Sequence, residues 1–197
     1  MVKPWLDAGY ECWIVDIQHP MGITKDGNLI RVGADVMEWL PPLADYKIVF
    51  SFPMCTDLAT SGALHFRNKG IKRLVKSLAL VDRCREIGEW SKAPWMLENP
   101  VSVISSYWRK PDFTFHPYEF AGYLDDPNPE AYTKKTCLWT GNGFRFPETK
   151  PIEVVKKNFI RDIPPSKERQ NIRSATPIGF AKAIFEANHS AQSSLVN

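Results

Sequence analysis

Between Ile71 and Trp90 the apolar residues Ile71, Leu74, Val75, Leu78, Val81, Cys84 and Ile87 recur at three- and four-residue steps, with Lys and Arg outside them. That spacing predicts an amphipathic helix. Residues 46–52 (YKIVFSF) form a continuous apolar run, which predicts a buried strand. Residues 11–16 predict a strand ending in an acid, and residues 94–97 the next strand. Residues 113–115 and 136–139 give two more, and residues 177–188 a final helix. Residues 3–8 read as the last turns of a helix closed by Gly9, and residues 20–33, which contain Gly, Asn and Asp, as a loop or small hairpin. Residues 34–40 are short and stop at Pro41-Pro42. Residues 56–70, polar with two glycines, read as a mobile loop. Strand, helix, strand, helix argues an α/β fold with a mainly parallel sheet.

At 197 residues, with no repeat and no low-complexity linker, the chain suits one domain. No apolar run is long enough to span a bilayer, and the N-terminus lacks a signal peptide's basic-then-apolar order. A cytoplasmic protein without a membrane partner is therefore expected. Cys12, Cys55, Cys84 and Cys137 are far apart, with no C-x-x-C pair, so neither a disulfide framework nor a bound metal is expected. The net charge of +3 leaves room for a local nucleic-acid-binding patch without requiring one.

Three residues stand after three successive apolar runs. Cys55 lies in the turn Ser51-Phe52-Pro53-Met54-Cys55-Thr56. Glu98 opens Glu98-Asn99-Pro100 after Trp95-Met96-Leu97. Lys135 lies in Tyr132-Thr133-Lys134-Lys135-Thr136-Cys137-Leu138-Trp139. Each would sit at the carboxyl end of a strand, where open α/β sheets bind ligands. A thiol, an acid and a cation so arranged suit attack by a thiolate on an electron-poor ring that the other two groups polarise. The competing readings are an inert structural Cys55, a surface Glu98 held by its Asn-Pro turn, and a basic edge strand around Lys135.

In order and spacing these segments resemble the carbon-5 cytosine methyltransferases in their short phage and prophage form. The likeness extends to the tail Pro164-Pro165-Ser166-x-Glu168-Arg169 and to the stretch from Arg173 through Thr176-Pro177-Ile178. The resemblance implies a Rossmann-like sheet, S-adenosylmethionine as cofactor, and DNA as partner, with a cytosine flipped out of the stack. It makes Cys55 the nucleophile toward carbon 6. Glu98 becomes the contact to the ring nitrogen and exocyclic amine, a role that a raised carboxyl pKa would suit. Lys135 stands where the family's Gln-x-Arg-x-Arg motif has its first Arg, with Thr133 and Cys137 departing from that motif. For the cofactor it implies Asp16 on the ribose hydroxyls, Ile17 against the adenine and Asp35 on the adenine amine. Pro53, Ser174 and Thr176 complete these contacts. A strand-end or capping role for Asp16 and Asp35, and a helix start capped by Thr176 with Pro177 first, remain open beside those roles.

Two family features are not found. One is a first strand with a glycine-rich turn, which in the family lies between the strands ending at Asp16 and Phe52. The other is a large target recognition domain, reduced here to residues 140–174 with basic Lys150, Lys156, Lys157 and Arg161. Without the glycine turn, little turnover is expected of a chain starting at Met1. The alternatives are a methyltransferase acting on free nucleotide, or a silent relative that binds nucleic acid or protein.

Overall fold

The computed structural model describes residues 1–157, 159–164, 166 and 169–189. The side chain of Arg161, and Pro165 and Glu168 of the tail motif, lie outside these. The chain forms two compact units, which it enters more than once. A sheet unit comprises Trp5–Thr114 and Thr136–Phe144. A terminal unit comprises Met1–Pro4, Phe115–Lys135 and Arg145–Asn197.

In the sheet unit the strands are β1 (Cys12–Val15), β2 (Gly22–Asp26), β3 (Leu29–Gly33), β4 (Val49–Ser51), β5 (Trp95–Pro100), β6 (Phe113–Phe115, ending at the unit's boundary) and β7 (Thr136–Gly141). They form two mixed sheets, ordered β1-β3-β2 and β4-β5-β7-β6. β1 runs parallel to β3 and β4 parallel to β5, whereas β2 against β3 and β5 against β7 are antiparallel. The expected mainly parallel sheet is thus corrected to two mixed ones. The reason is local at β2 and β3: the two-residue connection Gly27-Asn28, with Gly27 at φ 56°, is too short for a crossover and forces a hairpin.

Helix α1 (Lys3–Asp7) carries the buried Trp5, whose ring meets Tyr10 at 5.3 Å and Phe50 of β4 at 5.9 Å. Residues 56–70 are not a plain loop. They contain a 3-10 turn at Thr60–His65 and the short helix α2 (Phe66–Lys69). Helix α3 (Ile71–Trp90) has the bounds its periodicity predicts, and α4 (Ile104–Tyr107) follows β5. The core joins Leu58, Val81 and Cys84 to Trp95, Leu97, Ile104, Cys137 and Trp139.

The terminal unit holds α5 (Phe159–Asp162), α6 (Arg169–Ser174) and α7 (Ile178–Asn188). Its core is aromatic: Phe115 stacks on Phe180 at 3.9 Å, and Phe120 packs edge-on against both. The start of α7 corrects one sequence reading. Its N-cap is Pro177, not Thr176, and the Glu130 carboxylate accepts from the backbone N–H groups of Ile178 and Gly179. A buried acid 48 residues away supplies what a local hydroxyl was expected to give.

The indole of Trp95 lies between two glycines. A methyl group at Gly88 of α3 would stand 2.7 Å from its Cγ, and one at Gly141 of β7 would stand 2.4 Å from its Nε1. Alanine at a helical glycine ordinarily gains stability, but here the overlap is with the stem of a buried ring that has nowhere to turn. Gly88→Ala and Gly141→Ala are each expected to lower the unfolding free energy by about 1–3 kcal/mol, measured by urea denaturation.

Candidate functional site

Parallel pairing of β4 with β5 aligns Ser51 with Leu97. Phe52, the first residue after β4, therefore lies beside Glu98, which stands two residues inside β5 and not past its end as expected, and the turn bearing Cys55 begins there. One buried side chain fixes this junction. Asn99, 1 % exposed, donates from Nδ2 to Pro53 O at 3.0 Å across 46 residues of sequence. Pro53 is itself buried, and this bond occupies its carbonyl. Cys55 is half-buried, and its carbonyl accepts from Leu58 N and Ala59 N at 3.0 and 2.9 Å, closing a tight turn. Glu98 is half-buried on β5, opposite Leu138 of β7.

The segment after Cys55 is tied down at both ends. Leu58 is fully buried, its carbonyl accepts from Val103 N, and Thr60 donates through N and Oγ1 to Val101 O, each at 3.0 Å. Asp57, 10 % exposed, pairs with Lys69 at 3.2 Å and Arg73 at 3.1 Å, and Lys69 Nζ also donates to Thr56 O. Desolvation pushes the Asp57 carboxyl up, and the hydrogen bonds and charges of Lys69 and Arg73 more than reverse it, holding it below the usual value. Neither Asn99 nor Asp57 is singled out by sequence pattern. A signal for Asp57 does exist, since it is the sole acid in residues 56–81.

The other cysteines differ from Cys55. Burial pushes the Cys84 thiol to about 11 and raises that of Cys12, while Cys137 is 5 % exposed in the core. Burial of Cys137 also removes the third position of the basic motif from any surface role.

A second group of sequence candidates gathers on the three-stranded sheet. β1 and β3 are parallel, so Asp16 and Asp35 both follow the carboxyl ends of adjacent strands. The loop after β1 crosses close over β3: a methyl group at Gly33 would stand 2.0 Å from Pro20 O. Asp16 Oδ1 accepts from Gln18 N at 2.8 Å and Asp35 Oδ1 from Met37 N at 3.0 Å, so each acid also braces its own turn. The second oxygen of each carboxylate has no partner among the described residues. Ile17 is 66 % exposed.

Lys135, Ser174 and Thr176 belong to the terminal unit. Lys135 and Ser174 are exposed and Thr176 is half-buried. Lys134 Nζ donates to Ala175 O at 3.4 Å, which brings the Lys135 segment and the Ser174–Thr176 turn together. Burial lowers the His116 imidazole pKa, Glu119 opposes this, and the charge of Lys135 lowers it further. Among the described residues no group of three His, Cys, Asp or Glu side chains could hold a metal ion, and no helix is long and apolar enough to cross a membrane.

Two measurements check this geometry. Iodoacetamide at pH 8 is expected to label Cys55 first in the folded protein, with Cys84 and Cys137 reacting only on unfolding, as read by peptide mass mapping. Asp57→Asn is expected to lower the Tm. Because the folded carboxyl pKa is depressed, its stabilisation is complete above the ordinary carboxylate value and lost as pH falls through the lowered one. The Tm difference should therefore shrink in acid.

No protein-family model, curated protein or solved structure matches the chain.

Proposed function

We propose that the chain is a carbon-5 cytosine methyltransferase acting on DNA, with Cys55 as nucleophile and Glu98 on the edge of the pyrimidine. The observation that carries this reading is the junction at β4 and β5, where the Asn99 to Pro53 bond holds the Cys55 turn beside Glu98. A bond forms from Sγ to carbon 6 of the base, and the displaced electron pair moves to carbon 5 while Glu98 shares a proton with the ring nitrogen. Carbon 5 would then bond to the methyl group as the bond from methyl to the cofactor's sulfonium sulfur breaks and leaves its electron pair on that sulfur, and carbon 5 would afterwards lose its proton to a base. The Sγ–carbon 6 bond breaks with return of the pair, regenerating the thiolate.

S-adenosylmethionine, when bound, supplies the methyl group. The free carboxylate oxygens of Asp16 and Asp35, with Ile17 exposed between them in sequence, suit the ribose hydroxyls, the amine and the face of an adenosine. In the Rossmann-like form of this reading, β1 and β4, each an outer strand of its sheet, flank the family's first strand. By the resemblance alone, Lys135 would have the role of the cation toward the base carbonyl, and Ser174 and Thr176 that of contacts to the methionine part of the cofactor. Pro53, which the resemblance counts among the cofactor contacts, is buried with its carbonyl in the Asn99 bond.

An oligonucleotide containing 5-fluorocytosine, incubated with S-adenosylmethionine, is expected to form a covalent adduct that survives denaturation and maps to Cys55. Cys55→Ser should form none. Binding without an adduct in the wild type would sink methyl transfer in favour of a nucleic-acid-binding relative. An adduct with the fluorinated nucleotide alone would make free nucleotide the substrate. Asp16→Ala should weaken S-adenosylmethionine binding by roughly tenfold in calorimetry, the loss of a charge-assisted hydrogen bond.

A further inference from the structure

The charge along residues 56–90 is divided unevenly. From Leu58 to Val81 there is no acid, while Arg67, Lys69, Lys72, Arg73 and Lys76 fall within ten residues. Beyond Val81 the charges neutralise one another: Arg85 pairs with Asp82 and Glu89, and Arg83 with Glu86. Helix α3 therefore carries its unmatched cations at its N-terminal end, has no acid in its first turn and receives no side-chain cap from Gly70. That is the reverse of what helix stability favours. Cations near the N-terminus oppose the macrodipole by about 0.3–1 kcal/mol each, and the like-charged i,i+4 pair Lys72 and Lys76 adds a few tenths.

Arg67, Lys72 and Lys76 are exposed and make no ion pair among the described residues. Lys69 stands three and four residues before the adjacent pair Lys72 and Arg73, which in turn stand four and three before Lys76, so the three in α3 share a face. The patch begins at the nucleophile's own turn. Asp57, two residues after Cys55, holds Lys69 and Arg73, and Arg73 keeps 56 % of its side chain exposed despite that bond. Ile71 and Val75, 78 % and 59 % exposed, leave apolar surface among the cations. A row of unmatched cations interleaved with apolar side chains complements a polyanion that also carries flat apolar faces.

We propose that this face of α2 and α3 is the track for the phosphodiester backbone of a single nucleic-acid strand, delivering a base to Cys55. The inference rests on the proposed function for the base's destination, but the binding itself does not need catalysis. Residues 145–175, with eight basic against four acidic residues, are the rival location, richer in basic residues but less dense.

The test uses the full chain and a labelled single-stranded oligonucleotide, with anisotropy read from 50 mM to 300 mM salt. Lys72→Glu with Lys76→Glu should weaken binding at low salt by roughly tenfold or more and reduce the salt slope by about 1.4, the share of two phosphate contacts. The same pair should leave the Tm unchanged or raise it, because acids suit a helix N-terminus. Lys156→Glu with Lys157→Glu should change affinity far less. Three outcomes would overturn the proposal: equal affinity and slope in the Lys72/Lys76 variant, a larger loss in the Lys156/Lys157 variant, or loss of binding only to phosphatidylserine vesicles. Binding that depends on Lys72 and Lys76, with no Cys55 adduct to 5-fluorocytosine, upholds the track and sinks the methyltransferase reading.

Discussion

The hydrogen bond from Asn99 Nδ2 to Pro53 O joins the two halves of the site inside the core, where water cannot substitute for either partner. A buried carbonyl without a donor costs about 1–3 kcal/mol, so the turn after β4 has a strong reason to stay where Asn99 meets it. Everything at the candidate centre follows from that position. The Cys55 turn is held level with Glu98, Leu58 enters the core three residues on, and Thr60 reaches Val101 just past β5. The segment so anchored then delivers Lys69 and Arg73 to Asp57.

Order and adaptability are divided along the same stretch of chain. The backbone around Cys55 is fixed by buried bonds, while the cations beyond it are exposed and, at Lys72 and Lys76, unmatched. A thiol on a braced turn beside an exposed charged surface would suit a substrate whose reacting atom must be exact and whose backbone is variable. On the other sheet Asp16 and Asp35 are divided in a similar way: one oxygen of each braces a turn and the other has no partner among the described residues.

What the sequence revealed depended on the range of the forces involved. Helix α3 was legible to the residue, because Leu74, Leu78, Val81 and Cys84 pack one face onto the core around β5, while Ile71 and Val75 of the same periodicity stay exposed. β4 shrank to three residues, since it pairs with β5 alone and residues 46–48 find no ladder. β5 grew to Pro100 because β7 pairs along its whole length, so Asn99, which resembles a turn residue locally, is a buried strand residue. The loop expected at 56–70 takes helical form under restraints from residues 99–103, more than thirty positions away. The capping of α7 by Glu130 is of the same kind. Local pattern placed Cys55 just past the end of β4, but Glu98 lies within β5 and Lys135 before β7 rather than after a strand, and long-range side chains such as Asn99, Asp57 and Glu130 leave no periodic trace.

The strand order β4-β5-β7-β6 also bears on how the chain is made. β7 is the inner neighbour of β5, but residues 115–135, which belong to the other unit, come between them in sequence. On the ribosome β5 must therefore wait with one apolar edge open until residue 141 has left the exit tunnel. During that interval Trp95, Met96 and Leu97 have no second partner strand. Such an edge invites pairing with another nascent chain. Yield in a recombinant host should then depend on elongation rate and chaperone supply more than on the stability of the finished protein.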